Sequence, residues 1–293
     1  MKLRARPPFP MGAPDWPTSV PRPPVEQRTG VDFDTAWARR YPARLARAVL
    51  VDGVLRQAVR LLAPPRMHGL DRLDTLDEPV IFAANHHSHL DTPLLITSLP
   101  ERWRHRTVVA AAADYFFDTR VKGALSALVL GAVPVERARV DRRPLDLAHG
   151  LLDDGWSVVI FPEGGRSPDG WGQEFRGGAG YLAVRGGFPV VPVHLAGTGR
   201  VLRKGARRPT RARVDVTFGW PLRPAEGEKA HRFAARIEEA VAALADERTS
   251  NWWSARRRAA AGRTPPLTGP DAGTWRRSWA LERGRDRARP TWP

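Results

Sequence analysis

The chain has 293 residues, 42% of them hydrophobic, which suffices for the core of one large domain. It contains no cysteine, so disulfides and catalysis through a thiol nucleophile are excluded. No apolar run reaches the about 20 residues that a membrane-spanning helix needs. The net charge is +16 and sits mainly at the ends: residues 1–60 carry eleven Lys and Arg against five Asp and Glu, and residues 251–293 carry ten against three.

The N-terminal 64 residues divide into two segments. Residues 1–34 are rich in proline and arginine and are predicted to form a disordered or extended tail without the apolar stretch of a signal peptide. Residues 35–64 carry apolar side chains at helical spacing with arginines between them, and Pro42 and Gly53 predict two or three short helices. Two interpretations stay open for this basic amphipathic segment: a membrane-interface segment with arginines toward anionic headgroups, or a surface helix packed on the core.

Residues 65–250 alternate between strand and helix patterns. Strands are predicted at 80–84, 107–112, 132–135, 157–161, 190–195 and 212–218, and helices at 92–98, 120–130, 144–153, 179–185 and 229–247. This order predicts an α/β fold: a layered domain with a mostly parallel mixed sheet covered by helices, with basic flanking tails.

The first motif follows the strand at 80–84 and reads Asn-His-His-Ser-His-Leu-Asp, an H-x4-D pair formed by His86 and Asp91. A carboxylate that holds one imidazole nitrogen leaves the other free to take a proton from a hydroxyl, so the pair is a candidate general base with its orienting group. The alternative is that His86 caps a helix and Asp91 lies in its first turn. Backbone N–H groups at the start of that helix are candidate oxyanion donors.

Residues 110–117 read Ala-Ala-Ala-Ala-Asp-Tyr-Phe-Phe. Small residues followed by aromatic ones can line a tunnel for an alkyl chain. Because core packing is the commoner fate of aromatic side chains, the core interpretation is favoured here.

Three further blocks place polar residues where a predicted strand ends, which is where ligand sites collect in open α/β sheets. They are Gly-Ala-Val-Pro-Val-Glu-Arg at 131–137, Phe-Pro-Glu-Gly-Gly-Arg-Ser at 161–167, and Val-Val-Pro-Val at 190–193, which runs on to Gly197. Arg137 and Arg166 are either surface charges or anion ligands, and their positions inside two blocks favour the second interpretation. Residues 167–178 are glycine-rich and predict a mobile loop in which Arg176 contacts phosphate.

These blocks together resemble the glycerolipid acyltransferase family, of which 1-acylglycerol-3-phosphate (lysophosphatidic acid) acyltransferase is a member, over roughly residues 65 to 225. The family pattern is N-H-x4-D, then G-x-[IV]-P-V-x-R, then F-P-E-G-T-R-S, then a V-P-V strand. The resemblance implies that His86 is the general base and Asp91 its partner. The substrate-binding residues that it implies, with the loop arginine added, are Arg137, Glu163, Gly164, Gly165, Arg166, Ser167 and Arg176. Gly165 departs from the pattern, which has threonine there, so the acceptor is open to revision. Glu163 is interpreted as an internal partner of Arg166 that fixes the loop.

The resemblance implies an acyltransferase of phospholipid synthesis that moves a fatty acyl group from acyl-CoA or acyl carrier protein to the hydroxyl of lysophosphatidic acid. An acyl thioester is already activated, so a base and oxyanion donors suffice, and no cofactor beyond this co-substrate is expected. The enzyme is expected as a peripheral protein at the cytoplasmic face of the cell membrane. The alternatives are another lysolipid or glycolipid acceptor, or a catalytically inactive basic module that binds membrane or nucleic acid.

Two other interpretations concern metals and nucleic acids. His87, His89 and Asp91 begin an H-x-H-x-D-H signature of two-metal hydrolases, but Thr92 stands at its last position, so no metal is expected. His87 and His89 are predicted to flank the pocket or to face solvent. Residues 251–293 form a tail rich in tryptophan and arginine, a composition typical of headgroup contact and of single-strand binding. Since the chain contains no nucleic-acid module that we recognise, a membrane surface is the favoured partner.

Overall fold

The structure, a computed structural model, describes residues 30–135, 143–167, 170–202 and 208–269. Seven strands in this part of the chain form one sheet: β1 (Pro65–His68), β2 (Ile81–Ala84), β3 (Thr107–Ala112), β4 (Ala132–Val135), β5 (Ser157–Ile160), β6 (Val190–Ala196) and β7 (Val214–Phe218). The strand order is β1-β7-β6-β2-β5-β3-β4. Strands β6, β2, β5, β3 and β4 are parallel, whereas β7 runs antiparallel to β6 and carries β1 parallel to itself.

The α-helices of the described residues are α1 (Tyr41–Ala48), α2 (Arg56–Leu62), α3 (Asp91–Ser98), α4 (Glu101–Arg104), α5 (Ala113–Phe116), α6 (Arg120–Leu125), α7 (Arg143–Asp153), α8 (Gly178–Gly186), α9 (Thr198–Val201), α10 (Ala230–Thr249) and α11 (Trp252–Ala260). Short 3-10 helices lie at Ala36–Arg39 and Leu70–Leu73, and π-helical segments at Val49–Leu55 and Ser126–Leu130. The predicted α/β fold with a mostly parallel mixed sheet is confirmed. The edge strand β1 was not predicted, because only four residues form it and two of them are exposed.

Helices cover both faces of the sheet, and strand β2 shows why. Its four residues are fully buried and alternate between the faces, as strand side chains do. Phe82 and Ala84 belong to a core that includes side chains of α2 and α3, whereas Ile81 and Ala83 belong to a core that includes side chains of α7, α8 and α10. Burial of a side chain of the size of leucine or phenylalanine stabilises a fold by roughly 1.5–3 kcal/mol. This buried central strand therefore fixes the position of the residues that follow it.

From Tyr41 to Leu62 the N-terminal segment forms one continuous helical run, α1, the π-helical segment Val49–Leu55 and α2, so the predicted interruption at Gly53 is wrong. The interruption predicted at Pro42 agrees with a break at the extended Arg40, between the 3-10 helix Ala36–Arg39 and α1. Pro42 lies in the first turn, where a missing N–H removes no hydrogen bond. Gly53 lies inside the π-helical segment, with open space around it. Val51 and Val59 face the core. None of the helices in the described ranges is both long and apolar enough to span a bilayer.

Candidate active site

The carboxyl ends of the five parallel strands meet at one edge of the sheet, and the H-x4-D motif lies there, directly after β2. Asn85 continues the strand with its side chain: Nδ2 donates to the Leu195 carbonyl at 2.9 Å, and Oδ1 accepts from the Leu195 N–H at 2.7 Å. The amide thus imitates one more residue of the β2–β6 pairing and sets the direction in which the chain leaves the sheet. Sequence reasoning gave this residue no role, although its place beside His86 in the motif was a signal.

His86 and Asp91 are in contact. The Nδ1 of His86 lies 2.9 Å from Oδ2 of Asp91, and this carboxylate is fully buried as the first residue of α3. The same oxygen accepts the backbone N–H groups of His87 at 2.6 Å and Ser88 at 2.7 Å. Since an ionised carboxylate can only accept, Nδ1 carries the proton and Nε2 keeps its lone pair. These two N–H groups precede α3, so the oxyanion donors expected at the start of that helix stay a prediction.

The imidazole of His86 stacks on Phe161, with ring centroids 4.3 Å apart. Phe161 follows β5, the neighbour of β2 in the sheet, so parallel pairing brings the ring beside the histidine. This contact and the hydrogen bond to Asp91 fix the plane of the imidazole from two directions.

Glu163 is 1% exposed and binds backbone N–H groups rather than Arg166. Its Oε1 accepts from the N–H of His86 at 2.8 Å, and its Oε2 accepts from the N–H of Gln173 at 3.0 Å. The pKa of Glu163 is raised to about 7, mainly because the carboxyl group is buried. The two N–H donors lower this pKa, whereas the charges of Asp91 and Glu238 raise it further. The predicted role in fixing the loop is therefore supported by contacts, but the partners of Glu163 are main-chain groups of His86 and of the loop and not Arg166.

The remaining residues of this block surround the same point. Gly164 and Gly165 lie beside His86 in the wall of a cavity. Gly164 has a positive φ of 69°, and a Cβ there would meet the guanidinium of Arg176 at 2.7 Å. Ser167 is buried, donates its N–H to the His86 carbonyl at 2.8 Å, and accepts the Gly170 N–H with its hydroxyl. Ser167 thus holds the loop, whereas Arg176 is exposed with its main-chain N–H bound to the Pro162 carbonyl. Arg137 lies outside the described residues.

Arg166, a predicted site residue, and His89, predicted to flank the pocket or to face solvent, are grouped around Tyr115 together with Lys122, which sequence reasoning did not single out. The hydroxyl oxygen of Tyr115 lies 3.0 Å from Nε2 of His89. The ring of Tyr115 faces two cations: Nζ of Lys122 lies 4.2 Å from the ring centroid, and Cζ of Arg166 lies 6.0 Å from it. Burial, followed by the charges of Arg166 and His86, lowers the pKa of His89 to about 4, so His89 is neutral at pH 7. Among the described residues no carboxylate lies within ion-pair distance of Arg166, while Lys122 pairs with Asp118.

The cavity beside His86 has a volume of about 130 Å³ and mostly apolar walls. Its walls include Ala110, Ala111, Ala112 and Phe116. Ala111 and Phe117 also belong to a small core cluster against which Phe116 packs, as the favoured core interpretation predicts, so part of this segment is both core and cavity wall. Alanines line the space because a larger side chain at these points of β3 would fill it. Within the described ranges, no group of three His, Asp or Glu side chains is arranged to hold a metal ion.

Comparison with known proteins gives a consistent picture. Residues 64–196 match the family model described as Acyltransferase. The chain is 34% identical over 144 residues to the 1-acyl-sn-glycerol-3-phosphate acyltransferase BAT2, chloroplastic, of Brassica napus, and 29% identical over 155 residues to 1-acyl-sn-glycerol-3-phosphate acyltransferase alpha of Bos taurus. These matches span 48% and 52% of this chain, but 39% and 52% of those relatives.

A solved structure is also similar to this fold. It is the crystal structure of the 1-acyl-sn-glycerophosphate (LPA) acyltransferase PlsC from Thermotoga maritima, with a TM-score of 0.54 and 25% sequence identity. The likeness covers 73% of this chain and 83% of that one.

Proposed function

We propose that the protein moves a fatty acyl group from acyl-CoA or acyl carrier protein to the hydroxyl of lysophosphatidic acid, in keeping with the match of residues 64–196 to the Acyltransferase family model. The observation that carries the proposal is the 2.9 Å contact between His86 Nδ1 and the buried Asp91, made beside an apolar cavity. No metal or organic cofactor takes part besides the thioester co-substrate.

The transfer is a direct attack of the acceptor hydroxyl on the thioester. As the hydroxyl oxygen bonds to the carbonyl carbon, Nε2 of His86 takes its proton, and Asp91 stabilises the imidazolium that forms. Collapse of the tetrahedral intermediate breaks the carbon–sulfur bond, and the leaving thiolate takes the proton back from Nε2. The products are an ester and a free thiol, so the base returns to its starting state.

The acyl chain is proposed to enter the alanine-lined cavity. Its walls are mostly apolar and include His86. Apolar surface removed from water contributes about 25 cal/mol per Å², so an alkyl chain gains affinity from such walls without any polar contact.

The phosphate of the acceptor is proposed to bind the cations around Tyr115. Arg166 and Lys122 lie on this ring, and the guanidinium of Arg176 rests on Gly164 at the cavity wall. A guanidinium binds phosphate oxygens in pairs, and Arg166 has no competing carboxylate among the described residues. Arg137 is expected to join them from the segment 136–142.

The membrane is proposed as the surface on which the enzyme works, at the cytoplasmic face and without spanning it. One face of the N-terminal helical run exposes large apolar side chains: Tyr41, Leu45, Val49, Val54 and Leu61 are between 57% and 76% exposed. The exposed Arg60 lies on the same run, and the exposed Arg40 directly precedes it. Helix α11 adds the exposed Trp252 and Trp253, with Arg256 on the ring of Trp252. Apolar and basic side chains together bind anionic headgroup layers. Replacing Leu45 and Val49 by glutamate is expected to abolish co-sedimentation with anionic vesicles.

The proposed reaction is tested by following free thiol release from palmitoyl-CoA or oleoyl-CoA, with acyl carrier protein thioester as the second donor. Reactions without acceptor are compared with lysophosphatidic acid and with neutral and amino lysolipids or glycolipids. The variant His86→Ala is expected to lose about 10²–10⁴-fold in rate. His149→Ala is the matched control, because His149 also contacts an aspartate at 2.9 Å but lies on α7, away from the cavity. A metal chelator is expected to leave the rate unchanged.

The outcomes separate the candidate functions. Release that depends on lysophosphatidic acid and is lost in His86→Ala supports the proposal. Release with another acceptor alone keeps the chemistry and reassigns the substrate, which the departure at Gly165 leaves open. A protein that binds vesicles or nucleic acid but releases no thiol with any acceptor is a binding module, and the proposal is then wrong.

A further inference from the structure

The segment after α10 folds back along that helix instead of leaving the domain. Arg258 of α11 forms a fork on Asp246 of α10, with Nε 2.7 Å from Oδ2 and a terminal nitrogen 2.6 Å from Oδ1. Asp246 is 6% exposed. A bidentate arginine–carboxylate pair fixes both distance and orientation, so α11 is held in one direction on α10.

Residues 261–269, which we call the strap, continue from α11 to the loop that follows Arg166. The N–H of Gly172 donates to the carbonyl of Leu267 at 2.9 Å. Gly269 has a φ of +79° and lies so close to Trp171 that a Cβ would meet the indole ring at 2.6 Å. The strap thus contacts residues 171 and 172. It lies outside the segment 64–196 that matches the acyltransferase family model.

The loop that the strap contacts is connected to the main chain of His86. Gln173, the neighbour of Gly172, donates its N–H to Oε2 of Glu163, whose Oε1 accepts the N–H of His86. One series of hydrogen bonds therefore runs from the strap to His86. The N–H of Gly172 donates to the carbonyl of Leu267, and the N–H groups of Gln173 and His86 donate to the two carboxylate oxygens of Glu163.

From this series we infer that the strap is a positioning element, which holds the main chain of His86 in its reactive place through Gly172, Gln173 and Glu163. On its other side the loop is held by the N–H of Phe175, which donates to Glu238 at 2.9 Å, and by the N–H of Arg176, which donates to the Pro162 carbonyl at 2.9 Å, so the strap acts on residues 171–173. Without the strap the loop moves, Glu163 loses its second donor, and the N–H of His86 loses a fixed acceptor. A displacement of the order of 1 Å at a reacting group costs up to about 10²-fold in rate.

The rate measurement rests on the proposed function, whereas amide hydrogen exchange does not. Gly269→Ala is the test variant, because its new methyl group meets the Trp171 ring and pushes the strap off the loop. Gly262→Ala is the matched control: Gly262 lies in the same strap, also has a positive φ, of 62°, and has nothing within 4 Å of the new methyl group. Both variants carry the same kind of backbone strain, so their difference reports the contact with Trp171 alone.

We expect Gly269→Ala to speed exchange at the amides of Gln173 and His86 at least tenfold relative to Gly262→Ala. We also expect it to lower kcat for thiol release about tenfold while KM for lysophosphatidic acid changes less than twofold. Loss of the Gln173 donor raises the pKa of Glu163 above about 7, so the acid limb of the rate profile moves to higher pH. Asp91 and Glu238, the other charges that face Glu163, are unchanged in both variants.

A second variant guards against a folding defect. Trp171→Leu removes the ring that Gly269 covers at a half-exposed position, so the midpoint of thermal unfolding is expected to stay close to that of the wild type. It is expected to change exchange at His86 in the same direction as Gly269→Ala. Equal exchange at the His86 amide in Gly269→Ala and Gly262→Ala overturns the inference, and so does equal kcat. If the wild type releases no thiol at all, the proposed function fails, and exchange alone decides whether the strap holds His86.

Discussion

Two histidine–aspartate pairs in this molecule have the same contact distance and different surroundings. His86–Asp91 and His149–Asp153 each join Nδ1 to a carboxylate oxygen at 2.9 Å. The side chain of Asp91 is fully buried and its oxygen accepts two further N–H groups, whereas that of Asp153 is 57% exposed, one turn along α7. His86 faces a cavity, whereas Nε2 of His149 is buried without a partner and packs beside Phe188. A histidine becomes a candidate base through the fixed carboxylate and the open space, and the distance alone does not distinguish the two pairs.

The largest expected effect is that of breaking the His86–Asp91 pair, with the His149–Asp153 pair as the comparison. Asp91→Asn keeps the shape but puts an amide where a carboxylate accepts three donors, so the imidazole loses its tautomer and the imidazolium its counter-charge. We expect kcat to fall by about 10²–10⁴-fold. Asp153→Asn should stay within about twofold, because an exposed pair contributes little. Steady-state thiol release measures both. Equal losses in the two variants would mean that the surroundings of Asp91 do not matter.

Glu163→Gln is expected to have the next largest effect, a loss of up to about 10²-fold in kcat. The amide of glutamine has one acceptor oxygen, so it cannot accept the N–H groups of both His86 and Gln173. In the wild type the rate should rise with pH through about 7 as Glu163 ionises. Stability should move the other way. The folded-state pKa lies above the ordinary 4.5, so the folded protein binds the proton more tightly, and this stabilisation is lost as pH rises through about 7.

Denaturant unfolding at pH 6 and pH 8 checks the stability part of that prediction. The free energy of unfolding of the wild type should be lower at pH 8, and Glu163→Gln should show a smaller difference between the two pH values. Glu226→Gln, the same substitution at an exposed glutamate, serves as the control and should keep the wild-type difference. If the free energy of unfolding of Glu163→Gln changed as much between pH 6 and pH 8 as that of the wild type, groups other than Glu163 would cause the pH dependence.

The cavity beside the first pair is tested by Ala111→Phe. The added ring fills space that an alkyl chain is proposed to use, so long acyl donors should lose on the order of tenfold in kcat/KM while short ones are retained. A panel of acyl-CoA donors of different length provides its own control. A uniform loss across the panel would indicate a distorted β3 strand and not a shortened cavity.

The smallest effect is expected at the departure from the family pattern. Gly165 has an ordinary φ and open space where a Cβ would be, so Gly165→Thr should fold normally and change KM for lysophosphatidic acid by less than about threefold. Gly164→Ala is the contrasting variant, since its positive φ and the guanidinium of Arg176 both oppose a side chain. Kinetics with lysophosphatidic acid and the lysolipid panel would show whether the hydroxyl changes acceptor preference instead.

The sheet and the contact between His86 and Asp91 were predictable from the sequence because their signals are local. A buried apolar run followed by H-x4-D predicts both β2 and the contact between His86 and Asp91, and six of the seven strands follow from similar runs. The partners of Glu163 and the group around Tyr115 were not predictable in this way. They depend on how β5 and α6 return to β2 in space, and no spacing along the chain records that return. The strap is a stronger case, since its contact joins Gly172 to Leu267, almost a hundred residues later.

The π-helical segment Val49–Leu55 has a consequence for the alignment of the exposed apolar row. Tyr41, Leu45 and Val49 are four residues apart, the next member, Val54, is five residues on, and Leu61 is seven beyond that. A π-helical turn closes hydrogen bonds between residues five apart, so the longer step keeps the row in line. If the same residues were wound as an α-helix, its two halves would be rotated by about 100° against each other. The helix would be intact, but Leu45 and Leu61 would point in different directions, and a flat surface could no longer contact both.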